Sequence, residues 1–112
     1  MHEVGLMSDA LKRAIALAED AGARRIDRLV VTISGNHVTP ESVETIFGSL
    51  SRGTPAEGAE LIVERQPVGY RCWLCGTDYE ALDDDRCPAC GGSGLVLTEP
   101  AELTLTGIDI AN

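Results

Sequence analysis

The sequence predicts an α+β fold: two helices packed on a three-stranded sheet, with a small cysteine-rich module inserted in the connection before the last strand. Three observations predict it. Two stretches repeat apolar residues at helical spacing, three others are rich in β-branched residues, and two C-x-x-C pairs fall between the second and third of those strands. Helices and strands in this order suit a layer in which the helices cover one face of a sheet.

Between Val4 and Ala21, Met7, Leu11, Ala14, Ile15 and Ala18 recur at three- and four-residue steps while Lys12, Arg13, Glu19 and Asp20 fall elsewhere, so the stretch reads as an amphipathic helix. Gly22 stands where a helix end favours glycine. From Ile26 to Ile33, Leu29, Val31 and Ile33 alternate with Arg28, Val30 and Thr32, the pattern of a strand with one face better buried. "TPESVETIFGSL" carries a start signal, with Thr39 as N-cap, Pro40 at the first helical position and Glu41 near the positive end of the dipole. Val43, Ile46, Phe47 and Leu50 then form one stripe, which reads as core. Glu60 to Arg65 alternates again and stops before Pro67. In the last strand Leu103 and Leu105 keep one phase and Ile108 and Ile110 the other, which predicts a β-bulge at Gly107. The domain reading is therefore an α+β unit of residues 1–69 and 95–112, with a module of residues 70–94.

Composition limits what the chain can do. Eighteen acids against nine Lys and Arg give a net charge of −9, the opposite of a nucleic-acid footprint. Apolar residues make up 44% and aromatics only 4%, so the core is aliphatic and thin, and a metal would add stability. No cationic leader and no long apolar run is present, which predicts a cytoplasmic protein without membrane insertion. In that reducing compartment cysteines are ligands more often than disulfides.

Cys72 and Cys75 form one C-x-x-C and Cys87 and Cys90 another, eleven residues apart. Two residues between thiolates let a tight turn aim both sulfurs at one ion, and Gly76 and Gly91 follow the pairs where the backbone must turn back. Zinc in a closed tetrahedral S₄ site, structural rather than catalytic, is the leading reading. The alternatives are two disulfides, a redox pair and an iron–sulfur cluster. Neither pair opens a helix after a strand, which weighs against redox chemistry.

The chain opens "MHE". In a free Met1-His2 terminus the α-amine and the His2 amide nitrogen close a five-membered chelate ring, and that amide and the imidazole Nδ1 close a six-membered one. The Glu3 amide nitrogen offers a fourth planar donor, and a tetragonal nitrogen field suits Ni(II) or Cu(II).

Taken together, "MHE", "AGARR", "SLSRGTPAEGAELIVE", "CWLC" and "CPACG" resemble the HypA/HybF hydrogenase nickel-incorporation proteins over nearly the whole chain. The resemblance implies a nickel metallochaperone rather than an enzyme. It implies Ni²⁺ as transported ion on Met1, His2 and Glu3, structural Zn²⁺ on Cys72, Cys75, Cys87 and Cys90, and delivery to a [NiFe] hydrogenase large subunit alongside a HypB-type GTPase. Members often read "IGELSGVEPE" where this chain reads "ISGNHVTPE", one residue shorter, so Thr39 stands where an acid is common; whether His37 replaces that acid as a ligand is left open, since a loop histidine is more often simply exposed. The rival reading is a zinc-ribbon interaction adaptor without nickel function. A hydrolase is disfavoured because no nucleophile–base pair and no open metal triad is visible. Asp83, Asp84 and Asp85 read as a solvated loop, Trp73 as packing over the module in preference to docking a partner, and Tyr70 and Tyr79 as module core.

Overall fold

The computed structural model describes residues 2–34, 38–82, 85–97 and 102–111. Its elements run α1 (His2–Asp20), β1 (Arg25–Ser34), α2 (Pro40–Leu50), β2 (Glu60–Gln66), β3 (Val68–Cys72), β4 (Asp78–Ala81), β5 (Gly94–Val96) and β6 (Leu103–Ala111). They build two three-stranded sheets, ordered β2-β1-β6 and β4-β3-β5.

The first sheet and both helices are the expected α+β layer. β1 pairs parallel with β2 and antiparallel with β6. Helix α1 packs chiefly on β6 and on α2, and α2 also touches β2, so the helices share one face. The predicted stripes make the core: Met7, Leu11, Ala14 and Ala18 of α1, Val43 and Phe47 of α2, and Ile26, Leu29, Val31 and Ile33 of β1 are buried together. The other face stays open and polar, with Arg28 bridging Glu60 at 2.8 Å and Asp109 at 3.3 Å.

Two register shifts explain why the helix-covered face is apolar along its whole length. In the β1–β6 ladder, Ile26 faces Ile110, Leu29 faces Ile108, Val31 faces Leu105 and Ile33 faces Leu103. Strict alternation would turn Ile26 away from Leu29, and Leu105 away from Ile108. One extra residue on each strand, Asp27 and Thr106, restores the phase. The bulge expected at Gly107 is thus present, with Thr106 as its extra residue.

Helix ends follow local chemistry. At the end of α1, Ala23 N donates to Ala18 O at 2.9 Å and Gly22 N to Glu19 O at 3.0 Å, a Schellman pair that turns the chain into β1. Thr39 and Ser42 cap α2 reciprocally, Ser42 N donating to Thr39 Oγ1 at 3.2 Å and Thr39 N to Ser42 Oγ at 3.3 Å.

The second sheet was not expected as strands. It is antiparallel throughout and takes in Val68, Gly69, Leu95 and Val96, beyond the 70–94 anticipated for the module. Pro67 separates β2 from β3.

Candidate metal centre

Each cysteine pair sits on a turn that leaves or enters a strand of the second sheet, and the two turns are built alike. Gly76 N donates to Cys72 O at 3.1 Å, and Gly91 N to Cys87 O at 2.8 Å. Cys72 N donates to Thr77 O at 2.9 Å, and Cys87 N to Gly92 O at 2.8 Å. Both turns need a positive φ at their glycine, 76° at Gly76 and 78° at Gly91, which an L side chain adopts only under strain. Backbone amides point at sulfur: Leu74 N and Cys75 N approach Cys72 Sγ at 3.4 and 3.5 Å, and Ala89 N approaches Cys87 Sγ at 3.4 Å. Trp73 N donates to Ser93 O at 3.0 Å and ties one turn to the other.

The four sulfurs converge. All lie within 4.8 Å of one another, with Cys72 Sγ 3.4 Å from Cys90 Sγ and Cys75 Sγ 3.7 Å from Cys87 Sγ. Four sulfurs at about 2.3 Å from a tetrahedral zinc stand about 3.8 Å apart, so the spacing fits such an ion. Each turn contributes one buried thiol, Cys72 or Cys87, and one exposed thiol, Cys75 or Cys90, and all four are free of disulfide. Among the described residues no other group of three or more His, Cys, Asp or Glu is drawn together this way.

The thiols are unequal. The Thr77 hydroxyl, 3.1 Å from Cys75 Sγ, together with the Thr77 backbone and then Cys72, lowers the Cys75 thiol to about 6. The Cys75 amide, working against burial and with the Leu74 amide, also lowers Cys72. At Cys90 the Gly92 amide pulls downward, but the hydrogen bond with Cys72, burial, and the neighbouring Cys75 and Cys87 outweigh it and push the thiol to about 12. Of these thiols, Cys75 is therefore the more readily ionised and Cys90 the one that holds its proton more firmly.

Residues around the centre hold its turns. Tyr70 and Tyr79, partners across β3 and β4, stack with ring centroids 5.5 Å apart, as module core should. The Tyr79 hydroxyl donates to the Asp85 carbonyl, and Gly94 N donates to Asp85 Oδ2 at 3.3 Å. A Cβ on Gly94 would collide with both tyrosines, so β5 passes under the rings only as glycine. Arg71 and Asp78 face each other across the ladder in a two-pronged pair at 2.7 and 3.1 Å. Their hydrogen bond raises the guanidinium and lowers the carboxyl.

Two expectations are corrected. Trp73 does not pack over the module: it is 68% exposed and its neighbour Leu74 79%, because the turn spends its inward directions on sulfur. Asp85 is no solvated loop acid but half-buried and hydrogen-bonded to Gly94; Asp83 and Asp84 lie outside the described residues. Thr77 and Gly94 carry no motif, so the sequence did not single them out.

At the other candidate site, α1 begins at His2 and Glu3 lies half-buried in its first turn. Met1 and the His2 side chain lie outside the described residues, as does His37. No helix among the described residues is long and apolar enough to cross a membrane.

With this geometry in hand, comparison with known proteins is informative. Residues 1–110 match the family model described as hydrogenase/urease nickel incorporation, metallochaperone, HypA. The hydrogenase maturation factor HypA of Geotalea daltonii is 32% identical over 112 residues, covering 98% of this chain and 99% of that one. Its counterpart from Dehalococcoides mccartyi is 34% identical over 113 residues, covering 98% and 94%. The solution structure of the Ni metallochaperone HypA from Helicobacter pylori superposes with a TM-score of 0.65 at 21% identity over 97% of each chain, so the fold is shared. A second solution structure of a HypA protein gives 0.66 at 22% identity. Since the match runs from the first residue through β6 and spans both sheets, this chain belongs to the HypA family of nickel-incorporation metallochaperones that serve hydrogenase maturation.

Proposed function

We propose that this protein carries Ni(II) on its own amino terminus, through the Met1 α-amine, the His2 amide and imidazole, and the Glu3 amide, while the four thiolates keep a resident zinc. The observation that carries the reading is the start of α1 at His2. The first amides of a helix have no intrahelical acceptor, so the His2 and Glu3 nitrogens are spared from the backbone ladder and remain available to a metal. Two fused chelate rings then fall on consecutive residues, and a tetragonal nitrogen set suits Ni(II).

Zinc at Cys72, Cys75, Cys87 and Cys90 is supported by the donor set and the sulfur spacing. Bound there, it would fold and hold the module, whose two turns depend on that convergence. A shell of four protein thiolates leaves no coordination position for water or substrate, so its role is structural. The two metals thus have different chemistry: one ion is closed in by four protein thiolates, the other is held by nitrogen donors of the chain terminus. The recipient in this reading is a [NiFe] hydrogenase large subunit, with a HypB-type GTPase supplying nucleotide hydrolysis, and membership of a nickel-incorporation family supports it. The carrier itself needs no catalytic group.

The rival reading, an interaction adaptor without nickel, draws on the exposed Trp73 and Leu74. Calorimetric titration of Ni(II) into untagged protein, His2→Ala, and protein extended ahead of Met1 decides between them. The carrier reading expects a stoichiometric site in the first alone, with zinc content unchanged in all three. Equal titrations would support the adaptor.

A further inference from the structure

We infer that the bare face of the second sheet docks a short amphipathic helix of a partner protein, one whose apolar stripe is flanked by Lys or Arg. The inference does not depend on where nickel binds. Among the described residues eight large apolar side chains are exposed, and six of them belong to residues 68–97. Single exposed apolar residues are ordinary, whereas six gathered in one small module mark an interaction surface.

The ladder register places them. Arg71 is opposite Leu95 across β3 and β5. Leu97 N donates to Gly69 O at 2.9 Å and Trp73 N to Ser93 O at 3.0 Å, so the pairing continues one step beyond each end. Gly69, Arg71 and Trp73 therefore share a face with Leu95 and Leu97. That face continues on β4 with Asp78 opposite Arg71 and Glu80 opposite Gly69. The other face holds the stacked Tyr70 and Tyr79 and the buried Val68 and Cys72. The first has no cover: Trp73 is 68%, Leu95 48% and Leu97 44% exposed. Between Leu97 and Glu80 lies a gap a side chain can fill, since a Cβ on Gly69 would meet nothing within 4 Å.

Size and charge select the occupant. Strands about 4.8 Å apart and up to five residues long, at about 3.3 Å each, offer a face of roughly 14 by 17 Å. A stable dimer takes about 800 Å² from each partner, several times what this face supplies. One helix about 10 Å wide and about 16 Å, or three turns, long covers it. Charge points the same way. Residues 68–97 set Asp78, Glu80 and Asp83–Asp85 against Arg71 and Arg86, Arg71 is already held by Asp78, and four thiolates around a divalent ion add negative charge. A second copy of a chain of net charge −9 would bring like charge to this surface. A helix with basic flanks lays its apolar stripe on Trp73, Leu95 and Leu97 and reaches Glu80 with a cation. The backbone of β3 is already paired on both sides, so the face offers side-chain packing.

Trp73 is the sole tryptophan of the chain, so its fluorescence reports the face directly. The test titrates untagged, zinc-loaded, full-length protein with three synthetic peptides that lack tryptophan. One is a helical Leu/Lys peptide with leucines at i, i+3, i+4 and i+7, one its Leu/Glu counterpart, and one a Leu/Lys peptide of the same composition with leucines alternating as in a strand. The Leu/Lys helix should bind and move Trp73 emission to shorter wavelength, and the Leu/Glu helix should bind about tenfold more weakly. Leu95→Ser combined with Leu97→Ser should weaken the Leu/Lys helix about tenfold to a hundredfold with zinc content unchanged. Glu80→Lys should weaken it severalfold and strengthen the Leu/Glu helix. If the double variant loses zinc, Glu80→Lys decides, and unchanged affinities there overturn the inference. Equal binding of the Leu/Lys helix by wild type and both variants would reduce it to attraction by the acidic chain at large and overturn the docking face. Equal or tighter binding of the alternating peptide would overturn the helical occupant. A blue shift produced by raising protein concentration alone, with a dimer in sedimentation, would make a second copy the occupant and overturn the inference.

Discussion

Thr77 shows how one hydroxyl changes the chemistry of a thiol. It reaches Cys75 Sγ at 3.1 Å and is the largest cause of that thiol's fall to about 6. In metal-free protein, Thr77→Val should raise the Cys75 ionisation midpoint, seen as an upward shift in the pH profile of thiolate absorbance; an unmoved profile would contradict the assignment. Cys90 sits at the opposite extreme, near 12, so it keeps its proton through the neutral range. Zinc must displace that proton. Apparent zinc affinity should consequently rise with pH across the neutral range, with proton release on binding, measured by chelator competition in buffers of different ionisation enthalpy. Loss of a ligand is more drastic: Cys87→Ser should empty the site and loosen residues 68–97 while β1, β2 and β6 keep their hydrogen-exchange protection. Elemental analysis showing iron in the wild-type protein would overturn the zinc assignment.

At the scale of elements, the large α+β layer was legible because its elements are long and periodic. Both helices and the three strands of the first sheet announced themselves through apolar spacing, and Thr39 and Pro40 marked the start of α2 to the residue. Removing the cap by Thr39→Ala should cost about 1 kcal/mol in chemical denaturation. Truncating Leu29, fully buried at the centre of β1, should cost about 2–5 kcal/mol, and equal costs for the two would contradict the core described here. The strands β3, β4 and β5 escaped sequence reading for a physical reason. They are 5, 4 and 3 residues long, too short to show a period, and they are held by matched cysteine turns and a tyrosine pair. Trp73 misled in the same region, because an aromatic beside two ligands reads as cover although the turn geometry leaves it outside.

For the whole molecule, the decisive feature is separation of roles. The chain extends over 54 × 24 × 18 Å, and its sheets share no strand. The thiolates that converge on one point were legible from spacing alone. A site at the start of a helix and a site between two turns can then respond differently to protons. An α-amine and an imidazole ordinarily titrate at about 7.7–8.0 and about 6.5, so protons compete directly for a terminal nickel chelate. Four thiolates closed on one ion resist the same acidification better. The measurement that tests the account most directly follows both metals in one sample of untagged protein as pH falls from about 7.5 to about 6, a range set by those two ordinary values. Nickel leaving first while zinc stays is the result expected of a carrier that surrenders its cargo and keeps its fold; zinc departing while nickel remains bound would contradict it.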